Sequence, residues 1–190
     1  PKGIYHRDLA RDNIIIPDGN VSEAKLVDFG IAKRRDASTG TILGSIYAGK
    51  IGYVAPEQFG LFGGEIGPYS DIYSFALVLA TAAIGKPLNM GNSMETASHA
   101  RLKIPDLALV PAELRPQLTA MLQPNPADRP QDIAEILRRW PYKADSKDTS
   151  KGKGAISKSK AWVICTFGIA ILVMGVFTAN NWYQKHSGKI

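Results

Sequence analysis

Two carboxylates and a carboxamide stand at positions that suit the transfer of a phosphoryl group. Asp8 and Asn13 lie five residues apart in one polar segment, and Asp28 follows fifteen residues after Asn13 at the start of an Asp-Phe-Gly tripeptide. In such a reaction one carboxylate orients the attacking hydroxyl, while the second carboxylate and the carboxamide hold Mg²⁺ on the phosphates. The spacing therefore predicts Asp8 as the catalytic group and Asn13 and Asp28 as metal ligands.

A third short motif, Ala55-Pro56-Glu57, follows at a matching distance. Together with the His-Arg-Asp motif at 6–8 and the Asp-Phe-Gly motif at 28–30, it resembles the activation-segment end, catalytic loop and metal loop of protein kinases. The resemblance implies ATP and Mg²⁺ as cofactors and the hydroxyl groups of proteins as substrates. It extends to about residue 140.

The resemblance also implies roles for the two residues before Asp8. His6 is expected to be a structural residue that packs beneath the metal loop, and Arg7 is expected to pair with a phosphate on the activation segment. Five hydroxyl-bearing residues of that segment are candidates for the phosphate, and the sequence does not select among them: Ser38, Thr39, Thr41, Ser45 and Tyr47.

The site departs from the family pattern at two positions. Ala10 stands where serine/threonine kinases usually carry a Lys, and Lys50 follows Gly49 where they usually carry a Thr. We hypothesise that Lys50 reaches the site and supplies the missing cation, because transfer of a phosphoryl group requires positive charge nearby. The alternative is that both positions have drifted and that catalysis is impaired.

Further matches are structural and favour bacterial Hanks-type serine/threonine kinases, to which the Glu57-Gln58 pair is similar. Glu57 and Arg129 resemble a buried ion pair that anchors the activation segment to the helical lobe. Asp71 resembles the Asp at a helix start that accepts hydrogen bonds from the catalytic-loop backbone.

The elements that must position these residues are mainly helical. Apolar patterning predicts helices near 71–84, 93–102, 112–122 and 131–139. Asn13–Pro17 and Ala24–Val27 predict a β-hairpin that brings Asn13 and Asp28 to neighbouring strand ends, and residues 31–54 predict a mobile loop. The expected fold class is mainly α with a small β-hairpin, an incomplete kinase-like C-terminal lobe over 1–142.

Charge is placed unevenly along the chain. Residues 1–142 contain fifteen Lys and Arg against fifteen Asp and Glu, whereas the remainder contains eight Lys and two Asp. The net charge of +6 therefore belongs to the tail. A nucleic-acid-binding domain would carry a basic face on its folded part, so no nucleic-acid partner is expected.

The C-terminal part predicts a membrane anchor. A Lys-rich, disordered linker over 143–160 precedes nineteen residues without charge, 161–179, which span about 28 Å as a helix. A buried core helix is the weaker alternative. The excess of Lys before the span predicts a single-pass protein of the cell membrane, with the kinase-like part cytoplasmic and the tail 180–190 outside.

Only five residues precede His6, so the Gly-rich lobe of a kinase is not in this sequence, and we expect the isolated fragment to be inactive. The first hypothesis is a membrane-anchored serine/threonine kinase, with a homodimer for trans-autophosphorylation as a further partner. The second is a catalytically inactive truncated kinase or pseudokinase that acts as a membrane-tethered interaction module. A small-molecule phosphotransferase of related fold is a distant third.

Overall fold

The structure, a computed structural model, describes residues 5–28 and 50–139. Of these residues, Ile14–Val27 form one compact unit and the others form a second, helical unit. The described residues are mostly helical with one small sheet, as the sequence predicts.

The helical unit contains four α-helices within its described residues. Their bounds are α1 Pro68–Ile84, α2 Met94–Ala100, α3 Arg115–Met121 and α4 Ile133–Arg139. Short 3-10 turns at Arg11–Asn13, Ile51–Tyr53, Pro56–Phe59, Leu61–Gly63 and Pro126–Asp128 connect or precede them.

Helix α1 is the centre of this unit. Nine of its side chains are buried, on all sides of the helix, which is the pattern of a core helix and not of a surface helix. It contacts α3 and the turns at Ile51–Tyr53 and Pro56–Phe59. The chain segments that carry the site therefore rest on a helix that solvent scarcely reaches.

Local sequence explains where the helices begin and end. Helix α1 begins at Pro68, three residues before the predicted start, because a proline at the first helical position lacks only an N–H that the helix would leave unpaired. It ends at Gly85, whose φ of 76° lets its N–H bond to the Thr81 carbonyl at 2.9 Å. The Ser93 side chain caps α2 by accepting a hydrogen bond from the Thr96 N–H.

The unit formed by Ile14–Val27 is a short hairpin. Strand β1, Ile14–Ile15, pairs antiparallel with β2, Lys25–Leu26, and Ile14 is opposite Leu26. Both strands are shorter than predicted, because residues 17–19 and 21–23 form two successive 3-10 turns. The predicted hairpin is thus present, with its predicted turn enlarged.

Several predicted features lie outside the described residues. They are Phe29 and Gly30, the candidate phosphate acceptors of 38–47, the linker 143–160, the apolar span 161–179 and the tail 180–190. Within 5–28 and 50–139, no helix is both long enough and apolar enough to cross a bilayer. The end of the predicted mobile loop differs from expectation, since Ile51 and Tyr53 are buried.

Candidate active site

Asn13 fixes the carboxylate of Asp8. A 3-10 turn over Arg11–Asn13 closes with a hydrogen bond of 3.0 Å from the Asn13 N–H to the Ala10 carbonyl. This turn directs the buried Asn13 side chain back toward Asp8. The Asn13 Nδ2 donates to the Asp8 carbonyl oxygen at 2.7 Å and to Asp8 Oδ2 at 3.1 Å. With its amide nitrogen used in this way, Asn13 presents Oδ1 as the atom for a cation.

Lys50 meets both of these residues. Its Nζ donates to Asp8 Oδ2 at 2.6 Å and to Asn13 Oδ1 at 3.2 Å. The Lys50 and Asp8 side chains are 20% and 15% exposed, so the ion pair is only partly open to water. Its hydrogen bond to Asp8 is the main cause that raises the pKa of the Lys50 ammonium, against a lowering effect of burial. Ala10 has an uncharged side chain, and the cation that contacts Asp8 is Lys50.

Asp28 lies in the same electrostatic environment. Its carboxylate contributes, after the effects of Asp8 and burial, to raising the pKa of Lys50. Its backbone is left-handed, with φ of 64°, a conformation uncommon for residues other than glycine. The structure thus brings Asp8, Asn13 and Lys50 into direct contact, although Lys50 is far from the other two in sequence. Asp28 is linked to them by its electrostatic effect on Lys50.

The backbone before Asp8 is held by Asp71 from the first turn of α1. The Asp71 Oδ2 accepts the His6 N–H and Oδ1 accepts the Arg7 N–H, each at 2.8 Å. Burial raises the pKa of the Asp71 carboxyl, while these two hydrogen bonds lower it. Directly after the second bonded amide the chain bends, since Arg7 has a left-handed φ of 64°. The His6 side chain is buried, and its packing beneath the metal loop stays a prediction.

Gln58 is a further support that the sequence did not identify. Its Nε2 donates to the Arg7 carbonyl at 2.7 Å, and its Oε1 accepts the Ala55 N–H at 3.0 Å. One side chain thus joins the catalytic loop to the Ala-Pro-Glu motif. The Arg7 Nε is buried and has no hydrogen-bond partner among the residues that the structure describes.

Glu57 and Arg129 form the predicted ion pair. The guanidinium donates two hydrogen bonds to the carboxylate, at 2.9 Å and 3.0 Å, and neither side chain is exposed. Arg129 also donates to three backbone carbonyls, those of Tyr69, Gln123 and Pro124. The guanidinium lies 4.7 Å from the centre of the Tyr73 ring. This network ties the Ala-Pro-Glu motif to the segment before α4.

A second arginine, Arg101, was also not identified from the sequence. It follows α2, is fully buried, and donates to backbone carbonyls of the turn that carries Lys50. No sequence signal distinguishes it from a surface arginine. Beside that turn lies a cavity of about 190 Å³ whose lining is mixed, with apolar side chains such as Leu77, Leu88 and Met90 next to polar ones such as Arg11, Thr81 and Asn92.

The comparisons with known proteins agree on one family. The family model described as "Protein kinase domain" matches residues 1–142. The chain is 36% identical over 137 residues to the probable serine/threonine-protein kinase PkwA of Thermomonospora curvata, an alignment of 71% of this chain and 17% of that protein. It is 37% identical over 131 residues to the serine/threonine-protein kinase PknA of Mycobacterium tuberculosis, covering 67% and 29% respectively.

A third similar protein is the serine/threonine-protein kinase AfsK of Streptomyces coelicolor, 32% identical over 142 residues, which cover 71% of this chain and 17% of AfsK. The chain thus spans less than a third of the length of these relatives.

Proposed function

Because this chain belongs to the protein kinase family, we propose that it carries the catalytic residues of a serine/threonine protein kinase. The reaction is the transfer of the ATP γ-phosphoryl group to a Ser or Thr hydroxyl of a protein. The observation that supports it best is the cluster in which Asn13 and Lys50 together hold the carboxylate of Asp8.

Asp8 is the residue that orients the acceptor hydroxyl. The hydroxyl oxygen forms a bond to the γ-phosphorus as the bond from that phosphorus to the bridging oxygen breaks, and ADP leaves. The proton of the hydroxyl passes to Asp8. Lys50 then lies beside the reacting group and stabilises the negative charge of the transferring phosphoryl group.

The donor atoms present are suited to Mg²⁺. Asn13 Oδ1 already faces a cation, the Lys50 ammonium at 3.2 Å, and amide and carboxylate oxygens are the ligands that a hard divalent ion prefers. Asn13 and Asp28 are the residues that would hold it. When bound, Mg²⁺ would neutralise charge on the phosphates of the nucleotide.

Arg7 is proposed as the residue that senses phosphorylation of the activation segment. Its Nε is buried without a partner among the described residues, and a phosphate has the acceptor oxygens to satisfy such a donor. The protein substrate is expected to lie along the cavity beside Ile51–Tyr53, whose lining offers both apolar and polar side chains.

The apolar span 161–179 is proposed as a single-pass anchor in the cell membrane, with the kinase domain on the cytoplasmic side. Two copies held in one membrane would meet readily, which favours trans-autophosphorylation within a homodimer. Fractionation of cells that produce the intact protein tests this proposal. Loss of the membrane fraction on deletion of 161–179 would support it, and an unchanged distribution would contradict it.

The activity is tested with the protein produced from its intact gene, radiolabelled ATP and Mg²⁺. We expect label on Ser or Thr residues of a protein substrate, and loss of that label in Asp8→Asn. Asp12→Asn is the matched control, because Asp12 is an exposed carboxylate paired with Arg11 on the same loop. If the intact protein folds but transfers no phosphoryl group, the alternative of an inactive, membrane-tethered interaction module is favoured. The presence of Ala10 in place of the usual Lys is the observation that points to this alternative.

A further inference from the structure

Arg101 is a buried cation with an unusual set of partners. It is fully buried, and among the described residues no carboxylate forms an ion pair with it. It donates to the carbonyls of Ile51 at 2.8 Å, Val54 at 3.0 Å and Ala97 at 3.1 Å, and also to the carbonyl of Met90. Every donor contact that the structure records for this guanidinium is to backbone.

A buried charge of this kind is costly. Removal of a guanidinium from water carries a large penalty that carbonyl dipoles offset only in part. Burial accordingly lowers the pKa of Arg101 to about 10. The guanidinium also lies 5.2 Å from the centre of the Phe59 ring. Removal of Arg101 would leave the carbonyls that it binds without these donors, so its hydrogen bonds hold those backbone segments together.

The carbonyls that Arg101 holds bracket the turn after Lys50. Ile51 and Val54 lie at either end of that turn, and the Tyr53 N–H closes it by donating to the Lys50 carbonyl at 2.9 Å. Ala97 belongs to the last turn of α2, and Met90 to the segment before α2. Arg101 therefore fastens the turn that begins at Lys50 to the helical core.

We propose that Arg101 is a positioning residue for phosphoryl transfer: it fixes the 51–54 turn so that the Lys50 ammonium remains at Asp8 and Asn13. This inference rests on the proposed function and adds a residue on which the catalytic cation depends. The turn after Lys50 is therefore connected to two parts of the protein. Arg101 holds its backbone from the core side, and the Lys50 side chain reaches the site from its first residue.

The test measures kcat and KM for ATP in the intact protein, for Arg101→Gln alone and combined with Lys50→Met. If Arg101 acts through Lys50, Arg101→Gln lowers kcat about a hundredfold, as displacement of a reacting group does, and leaves KM within about twofold. In the Lys50→Met background the same change costs less than about twofold, since coupled residues are not additive. Equal losses in both backgrounds would overturn the proposal.

Two further variants separate positioning from folding. Arg115→Gln is the control, because Arg115 also donates to loop carbonyls, those of Val110 and Ala108, but not to the Lys50 turn. We expect it to leave kcat within about twofold of the wild type. If Arg101→Gln does not fold, Arg101→Lys takes its place, because it keeps the positive charge. Its expected kcat is intermediate, because a single ammonium cannot span the same carbonyls, and wild-type kcat in Arg101→Lys would contradict the proposal.

Amide hydrogen exchange tests whether Arg101 holds the 51–54 turn, and this measurement does not depend on kinase activity. In Arg101→Lys the Tyr53 and Val54 amides, which close the turn onto Lys50 and Ile51, should exchange at least about tenfold faster, while the Leu118 amide in α3 stays unchanged. Unchanged exchange at 53 and 54 would overturn the inference even if the wild-type protein is an active kinase. If the wild-type protein is inactive but exchange at 53 and 54 is faster in Arg101→Lys, the proposed function is contradicted while the role of Arg101 in holding the turn is supported.

Discussion

Lys50 Nζ lies 2.6 Å from Oδ2 of Asp8, although 42 positions separate the two residues. The position two residues after Asp8, where a Lys would be expected, is a buried Ala10. The cation that contacts Asp8 is thus carried by the segment that ends in Ala-Pro-Glu and not by the loop that carries the Asp8 carboxylate. The first prediction concerns that exchange.

Lys50→Met should lower kcat about a hundredfold, because it removes the ammonium from the Asp8 carboxylate and from the transferring phosphoryl group. Adding Ala10→Lys to this variant should restore at least about tenfold, since it returns a cation to the same carboxylate. Steady-state kinetics of the intact protein measure both effects. Lys86→Met, at an exposed Lys after α1, is the control. Full activity of Lys50→Met would refute the exchange.

Asp71→Asn should weaken the catalytic loop. The carboxylate accepts two backbone N–H groups, and an amide oxygen and its NH₂ group cannot accept both, so one amide is left unpaired at a cost of about 1–3 kcal/mol. Urea denaturation measures this loss. Asp106→Asn is the control, because Asp106 also accepts a backbone N–H but in an exposed loop. Equal losses in both variants would show that the Asp71 contacts have no special weight.

Glu57→Gln should destabilise the protein by about 3–5 kcal/mol, because it leaves the fully buried Arg129 without its counter-ion. The exposed pair of Glu135 and Arg139 in α4 provides the comparison. There, Glu135→Gln should cost no more than about 0.5 kcal/mol. Chemical denaturation of the two variants gives the difference directly, and a loss below about 1 kcal/mol for Glu57→Gln would contradict the structure.

Tyr73→Phe should be neutral or stabilising by up to about 1 kcal/mol at neutral pH. The Tyr73 hydroxyl is buried and has no hydrogen-bond partner among the described residues, so its removal relieves a desolvated polar group. Tyr53→Phe is the control of opposite sign, because the Tyr53 hydroxyl lies 3.4 Å from Thr81 Oγ1. Equilibrium unfolding compares the two variants, and a clear loss of stability in Tyr73→Phe would refute the assignment.

The same residue predicts a dependence on alkaline pH. Burial raises the pKa of Tyr73 from 10.0 to about 12, so the fold favours the neutral phenol. The unfolded chain releases the Tyr73 proton near pH 10, whereas the folded protein keeps it until about pH 12. The free energy of unfolding that comes from this retained proton is fully present below pH 10 and is lost as the pH rises toward about 12, an effect of order 3 kcal/mol. Unfolding measured across this range should show a steeper decline in the wild type than in Tyr73→Phe. Parallel declines would contradict it.

The family and the identity of the candidate site residues could be predicted from the sequence because they lie in short, local motifs. The match to the protein kinase family confirms the resemblance, and the roles of Asp8, Asn13, Asp28 and Lys50 stay predictions. The bridging role of Gln58 and the burial of Arg101 had no such signal, although the Glu57-Gln58 pair itself was part of the resemblance. Their partners are backbone atoms distant in sequence, and an arginine after a short helix is ordinarily a surface residue.

The helix boundaries also depend partly on local sequence, which can be read directly, and partly on tertiary packing, which cannot. The predicted helix at 71–84 ends where Gly85 places its end, but it begins at Pro68. The predicted helix at 112–122 is shorter than expected, since α3 begins at Arg115, directly before Pro116. In both helices a proline lies in the first turn, Pro68 in α1 and Pro116 in α3. The sequence shows that a helix can begin at such a proline, but tertiary packing decides whether it does.

The bend at Arg7 has a consequence for how the protein responds to heat. A left-handed backbone at a residue other than glycine costs about 1–2 kcal/mol, and here Asp71 and Gln58 hold the bend from outside the loop. The left-handed bend is therefore maintained from α1 and from the Ala-Pro-Glu turn, whereas the rest of the loop has its own hydrogen bonds through Asn13. On warming, the bend should therefore persist for as long as α1 and the Ala-Pro-Glu turn persist, so that any phosphoryl transfer by the intact protein is lost together with the helical core and not before it.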